Sequence, residues 1–168
     1  DMVWLTCDGD DVPEVWGPSG TPGVVMIGSP QRLAGRLSAS QLALAADEIA
    51  QADVVHLHAM WTPSNPQIAR ECHRLNTPWI LSSHGMLDDW CMDQRGLKKR
   101  IYLATAGRSM VRGASMMLMT AEEERRQAGR WIPHDRTCAI PLIMDMDPYG
   151  QMPDPKASQE AFGTTDAP

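Results

Sequence analysis

Three polar clusters in this sequence stand where a short apolar run ends, and each holds residue types able to bind or activate a substrate. The first lies in Asp53-Val54-Val55-His56-Leu57-His58-Ala59-Met60-Trp61. Side chains alternate along a strand, so His56 and His58 point to the same side, as two ligands of one metal would. No carboxylate follows at a useful spacing, which leaves a second reading open: one histidine hydrogen-bonded in the core, the other lining a crevice. The second cluster is Ser82-Ser83-His84-Gly85-Met86-Leu87-Asp88-Asp89-Trp90. It follows directly on an apolar strand, at the carboxyl edge where open parallel sheets bind ligands, and His84 is its best-placed functional histidine. Gly85 permits close approach of a substrate, and Asp88 or Asp89 can orient an imidazole or hold a hydroxyl; a polar turn with Asp88 as helix cap is the alternative. The third, Thr120-Ala121-Glu122-Glu123-Glu124, is again a strand end running into a helix start. Acidic residues there suit the positive end of the helix dipole, and Thr120 can serve as the cap.

These clusters need elements to position them. Short runs rich in Val and Ile alternate with longer segments of helical periodicity, the pattern of β-α-β units and of a parallel sheet buried on both faces. The pattern predicts an α/β fold with strands near residues 2–6, 24–28, 53–58, 79–83, 115–120 and 137–140. Helices are predicted over about 38–51, 65–76 and 97–113, with a fourth beginning at 122–127 and a short one at 156–162. Residues 8–22 hold three glycines and three prolines and read as a loop. The apolar residues interleaved with Lys98, Lys99, Arg100, Arg108 and Arg112 fit either a solvated helix face or a helix resting on an anionic membrane.

Composition narrows the classes. With 168 residues and 43% hydrophobic content, one domain with a sizeable core is expected. Fifteen basic against 21 acidic residues argue against a nucleic-acid binder, which presents dense positive charge to phosphates. The charge is uneven: residues 96–130 hold eight Lys or Arg against three Glu, a balance of plus five, so the remainder carries minus eleven of the net minus six. Cys7, Cys72, Cys91 and Cys138 form no Cys-x-x-Cys pair and are read as idle thiols in a reducing compartment. No apolar run approaches the roughly 20 residues that span a bilayer. A cytoplasmic protein is expected, peripheral at the inner membrane face if the basic helix rests there.

In this order, the blocks resemble family 4 glycosyltransferases, especially the branch that assembles bacterial surface polysaccharides. Asp53 to His58 with Trp61 resembles the family's third-strand block, and Ser82 to Trp90 its most distinctive one. A basic helix with Lys98-Lys99-Arg100-Ile101-Tyr102-Leu103 follows, then a strand exit at Thr120 to Glu122, then Ala139-Ile140-Pro141 leading to Asp145. The resemblance implies one Rossmann-like domain of a two-domain (GT-B) enzyme: residues 1–147 as the acceptor-side domain without its first strand, and 148–168 as a linker towards a donor-binding domain. It implies transfer from a nucleotide sugar, as co-substrate, to a glycan or lipid-linked acceptor, retaining the anomeric configuration without a metal or other cofactor. By that analogy His84 contacts the transferred sugar, and Thr120 and Glu122 lie near the cleft; with His58, Trp61, Gly85 and Asp88 these two are expected to bind substrate, and His84 to be catalytic. The chain alone is expected to be inactive. Two further readings stand beside this one: a metal-dependent hydrolase using His56, His58 and His84, and a non-catalytic module that binds a glycan or partner enzyme. One departure touches the hinge, where Pro141 is followed by Leu142-Ile143-Met144 rather than the Asn-Gly common in the family.

Overall fold

The structure, a computed structural model, describes residues 2–7, 12, 23–28, 35–132, 135–143 and 154–163. In chain order its elements are β1 (Val3–Thr6), β2 (Gly23–Met26), α1 (Ala39–Gln51), β3 (Val55–His58), α2 (Asn65–Leu75), β4 (Trp79–Ser82) and α3 (Asp89–Asp93). There follow α4 (Gly96–Ala104), α5 (Ala106–Gly113), β5 (Met116–Met119), α6 (Glu122–Ala128), β6 (Thr137–Ala139) and α7 (Pro155–Phe162). Every strand pair is parallel. Parallel neighbours need a crossover, and α2, the α3–α5 group and α6 supply those joining β3 to β4, β4 to β5 and β5 to β6. The α/β class predicted from the alternation is the one observed.

The strands form two sheets, β1-β2 and β3-β4-β5-β6, and no ladder joins β1 to β3 among the described residues. The two sheets nonetheless meet, since the Trp4 ring stacks towards that of His58 with centroids 6.3 Å apart. Leu57, Leu81, Met117 and Met119 carry the larger sheet into the core, where α1 packs on α2 and α2 on α5. Met60, Met92, Met110 and Met117 are fully buried there, their unbranched thioethers filling irregular gaps.

Local chemistry sets the helix boundaries. Ser38 caps α1 in a capping box: its hydroxyl accepts from Gln41 N, and the Gln41 side chain accepts from Ser38 N. Asn76, at φ 57°, closes α2 in the left-handed conformation. Trp79 is buried with Nε1 donating to Met110 O at 3.1 Å. Gly113 makes room for that ring, because a Cβ there would stand 2.5 Å from it.

Two expectations are corrected. The single helix over 97–113 is broken at Thr105, whose backbone is not helical and whose hydroxyl donates back to Ile101 O at 2.7 Å. Gly107 permits the bend, since a side chain there would enter the Tyr102 ring at 2.6 Å. Thr120 is not the cap of α6: Ala121 occupies that position, with no capping side chain. Within the predicted 8–22 loop only Val12 is described, and Asp145 and most of 148–168 lie outside the described residues.

Candidate functional site

Because β3, β4 and β5 run parallel and in register, their carboxyl ends lie along one edge; His58 is level with Ser82, and Ser82 with Leu118. The residues just beyond these ends therefore meet. Nδ1 of His58 lies 2.9 Å from Nε2 of His84, and the two rings stack with centroids 5.2 Å apart and planes 12° apart. The His56 ring stands 4.1 Å from that of His58, and His56 Nε2 is 2.7 Å from Ser82 Oγ. His56 and His58 thus share a side of β3, as their alternation predicted.

Three backbone positions at this edge are left-handed: Ala59 (φ 71°), His84 (φ 51°) and Gly85 (φ 74°). For a residue with a side chain this costs about 1–2 kcal/mol, so neighbouring groups must hold it in place. On the β3 side, the Asn65 amide donates to both His58 O and Ala59 O, at 2.7 and 2.8 Å. On the β4 side, buried Glu124 does the holding. Its Oε1 accepts from Ser83 Oγ at 2.6 Å and Gly85 N at 2.7 Å, and its Oε2 accepts from Thr120 N and Oγ1, both at 2.8 Å. One carboxylate thereby ties the exit of β4 to the exit of β5.

The electrostatics follow from partial burial. Loss of water, reinforced by His56 and His84, pulls the His58 pKa from 6.5 down to about 4. Desolvation and then His84 lower that of His56 too. For Glu124 burial works to raise the pKa, yet the hydrogen bonds from Ser83, Thr120 and Gly85 together prevail and leave it lowered. At neutral pH the edge thus presents a neutral His58 beside His84, above an ionised carboxylate whose four acceptor sites are occupied. Such an arrangement fixes an imidazole for hydrogen bonding to a ligand.

The other residues singled out in the sequence divide. Gly85 and Thr120 join the His58–His84 pair through Glu124. Asp88 accepts from Cys91 N and caps α3, and Asp89 pairs with Arg130. Trp61 faces a separate cavity with Tyr102 and Lys99. Glu122 is exposed and paired with Arg125. Sequence reasoning missed Glu124 and Asn65. A signal for the first existed, since Thr120, Glu124 and Ala128 recur at helical spacing and so share a face.

Among the described residues, no group of three or more His, Cys, Asp or Glu side chains is arranged to hold a metal ion. His84 stacks on His58, while His56 is tilted against His58 with its Nε2 held by Ser82 Oγ, and the hydrolase reading gains no support. No described helix is long and apolar enough to cross a membrane.

No curated protein sequence matches the chain. A family model described as "Glycosyl transferase 4-like domain" matches residues 3–142, a span running from β1 past β6 and including every strand exit described above. This chain belongs to the glycosyl transferase 4-like domain family.

Proposed function

We propose that this chain is the acceptor-side domain of a retaining glycosyltransferase that takes sugar from a nucleotide-sugar donor and passes it to a glycan or lipid-linked acceptor in polysaccharide assembly. The observation that carries the reading is the His58–His84 pair at the strand exits, 2.9 Å apart and held by left-handed backbone, within a domain of that family. His84 contacts the transferred sugar. Neutral His58 fixes the orientation of the His84 ring, and Glu124 fixes its turn. Gly85 lets the sugar approach the backbone, Thr120 lines the cleft, and Trp61, Asp88 and Glu122 belong to its wider rim. A phosphate oxygen of the donor itself assists removal of the acceptor proton, so neither metal nor other cofactor takes part.

In this reading residues 1–147 form the acceptor-side domain, 148–168 a linker, and a donor-binding domain completes the cleft. Among the described residues no ladder joins β1 to β3, which supports a further strand seated between them. A cytoplasmic location with peripheral contact to an anionic membrane is supported by Trp90, Leu97 and Ile101, which are exposed on α3 and α4 beside Lys98 and Arg100.

The test joins the chain to a donor-binding domain of the family and screens it against nucleotide sugars, following glycosylated product and nucleotide release. His84→Ala should lower kcat about 100-fold with a smaller change in acceptor KM, because contacts that strengthen in the transition state act chiefly on turnover. Unchanged turnover in a folded variant would refute the role of His84.

A further inference from the structure

A cavity of about 460 Å³ opens between the loop after β3, the first turn of α2 and helices α4 and α5. Ligand pockets commonly span ~300–1,000 Å³. Trp61 and Tyr102 line it, in edge-to-face contact with centroids 5.5 Å apart. Around them stand Arg36, Arg70, Arg95 and Lys98, and no Asp or Glu is among the lining residues. None of these four cations has an ion-pair or hydrogen-bond partner among the described residues. The contrast with α6 is informative, because there Arg125 and Arg126 each face a glutamate one turn away. A solvated helix face interleaves signs in that way; this cavity gathers one sign only.

Two polar groups on the lining side chains lack a partner among the described residues. Trp61 Nε1 and the Tyr102 hydroxyl are buried without a hydrogen-bond partner among the described residues, and both side chains line the cavity. Burial raises the Tyr102 pKa, so its proton stays in place as a donor. The first turn of α2 does not supply the positive character: Pro66 has no N–H, and the amides of Gln67 and Ile68 are already bonded to Ser64 O. A fifth cation, Lys99, is also engaged, donating to Cys91 O and lying 5.3 Å over the Trp61 ring.

We propose that this cavity binds a diphosphate ester. Four cations without a partner among the described residues exceed what a single carboxylate would call for, whereas a diphosphate spreads two or more negative charges over oxygens that match the guanidinium fork. Trp61 and Tyr102 supply aromatic lining beside whatever group the diphosphate carries. The inference deepens the acceptor side of the transfer reading and rests on it for the identity of that group; the diphosphate itself comes either from a lipid anchor or from a soluble compound.

The experiment is calorimetric titration of the full chain with inorganic pyrophosphate at low and moderate salt. One saturable site is expected, weakening as salt rises. Arg70→Gln/Arg95→Gln should lower its affinity at least tenfold; both side chains are exposed, and unchanged thermal unfolding would verify the fold. Tyr102→Phe, a second variant without charge change, should weaken binding severalfold. His84→Ala should leave pyrophosphate binding intact, so the cavity and the catalytic reading fail separately. Competition by phosphatidylglycerol vesicles that carry a lipid diphosphate, absent with phosphatidylglycerol alone and lost in the double variant, would assign the diphosphate to a lipid; competition by uridine diphosphate alone would assign it to a soluble compound. No saturable binding, or binding untouched by the double variant, overturns the proposal.

Discussion

Nδ1 of His58 and Nε2 of His84 are 2.9 Å apart, so one ring must donate the proton that the other accepts, and at least one of the two is neutral. The lowered pKa of His58 identifies it as a neutral partner at physiological pH.

The first prediction concerns titration. Followed by NMR, the His58 ring should protonate near pH 4, below the ordinary 6.5. Between these values the unfolded chain binds the proton and the folded one does not. The stability contributed by the neutral ring is therefore complete above about pH 6.5 and is lost as pH falls towards 4. His56 acts in the same direction. Denaturant midpoints that stayed flat from pH 7 to 4.5 would contradict this assignment.

Glu124→Gln should cost about 3 kcal/mol in urea unfolding. An amide cannot accept all four bonds from Ser83, Gly85 and Thr120, and its NH2 would be set against donors. Glu122→Gln, two residues away, should cost less than about 0.5 kcal/mol, because its pair with Arg125 is exposed. Equal effects of the two changes would remove Glu124 from its bracing role.

How far the sequence carried the reader is clearest in this pair of glutamates. The strand exits at His58, His84 and Thr120 were legible because apolar runs end abruptly there, and parallel strands align such ends. Which glutamate turns inward was decided by the phase of α6, whose first residue depends on Ala121 rather than Thr120 taking the cap position. The bend at Thr105 escaped notice because its cause is the fit of Gly107 against Tyr102, a contact that periodicity does not encode. The division of the sheet between β1 and β3 concerns pairing of distant segments, which local pattern leaves open. Asn65 passed as an ordinary helix-start residue, although its amide holds two carbonyls of the histidine loop.

Two glycines should resist substitution for different reasons. Gly113→Ala forces a methyl into the buried Trp79 ring and should cost about 1–3 kcal/mol through overpacking. Gly85→Ala meets no close atom, the nearest being Asp88 Oδ2 at 3.8 Å, but must hold φ 74° with a side chain, at a cost of about 1 kcal/mol. Thermal unfolding of the two variants measures the difference; Gly85→Ala as costly as Gly113→Ala would mean that the turn is more crowded than the structure shows.

The last prediction is that residues 1–168 by themselves do not transfer sugar. Transfer requires the donor's anomeric carbon and the acceptor hydroxyl to be held at near-bonding distance, an arrangement worth up to roughly 7–11 kcal/mol of the barrier. In the proposed reading the histidine edge supplies one wall of such a site. There His58 is neutral and Glu124 ionised, so neither offsets charge building on a leaving diphosphate, and electrostatic stabilisation of that charge is commonly the largest catalytic contribution. The cations beside Trp61 belong to a different cavity, whose lining includes neither His58 nor His84. Incubating the purified chain with nucleotide sugars and lipid or glycan acceptors should release no nucleotide above background, whereas adding a donor-binding domain should restore release. Donor-dependent product from the chain alone, abolished by His84→Ala, would show that this edge suffices for catalysis and that the second wall is dispensable.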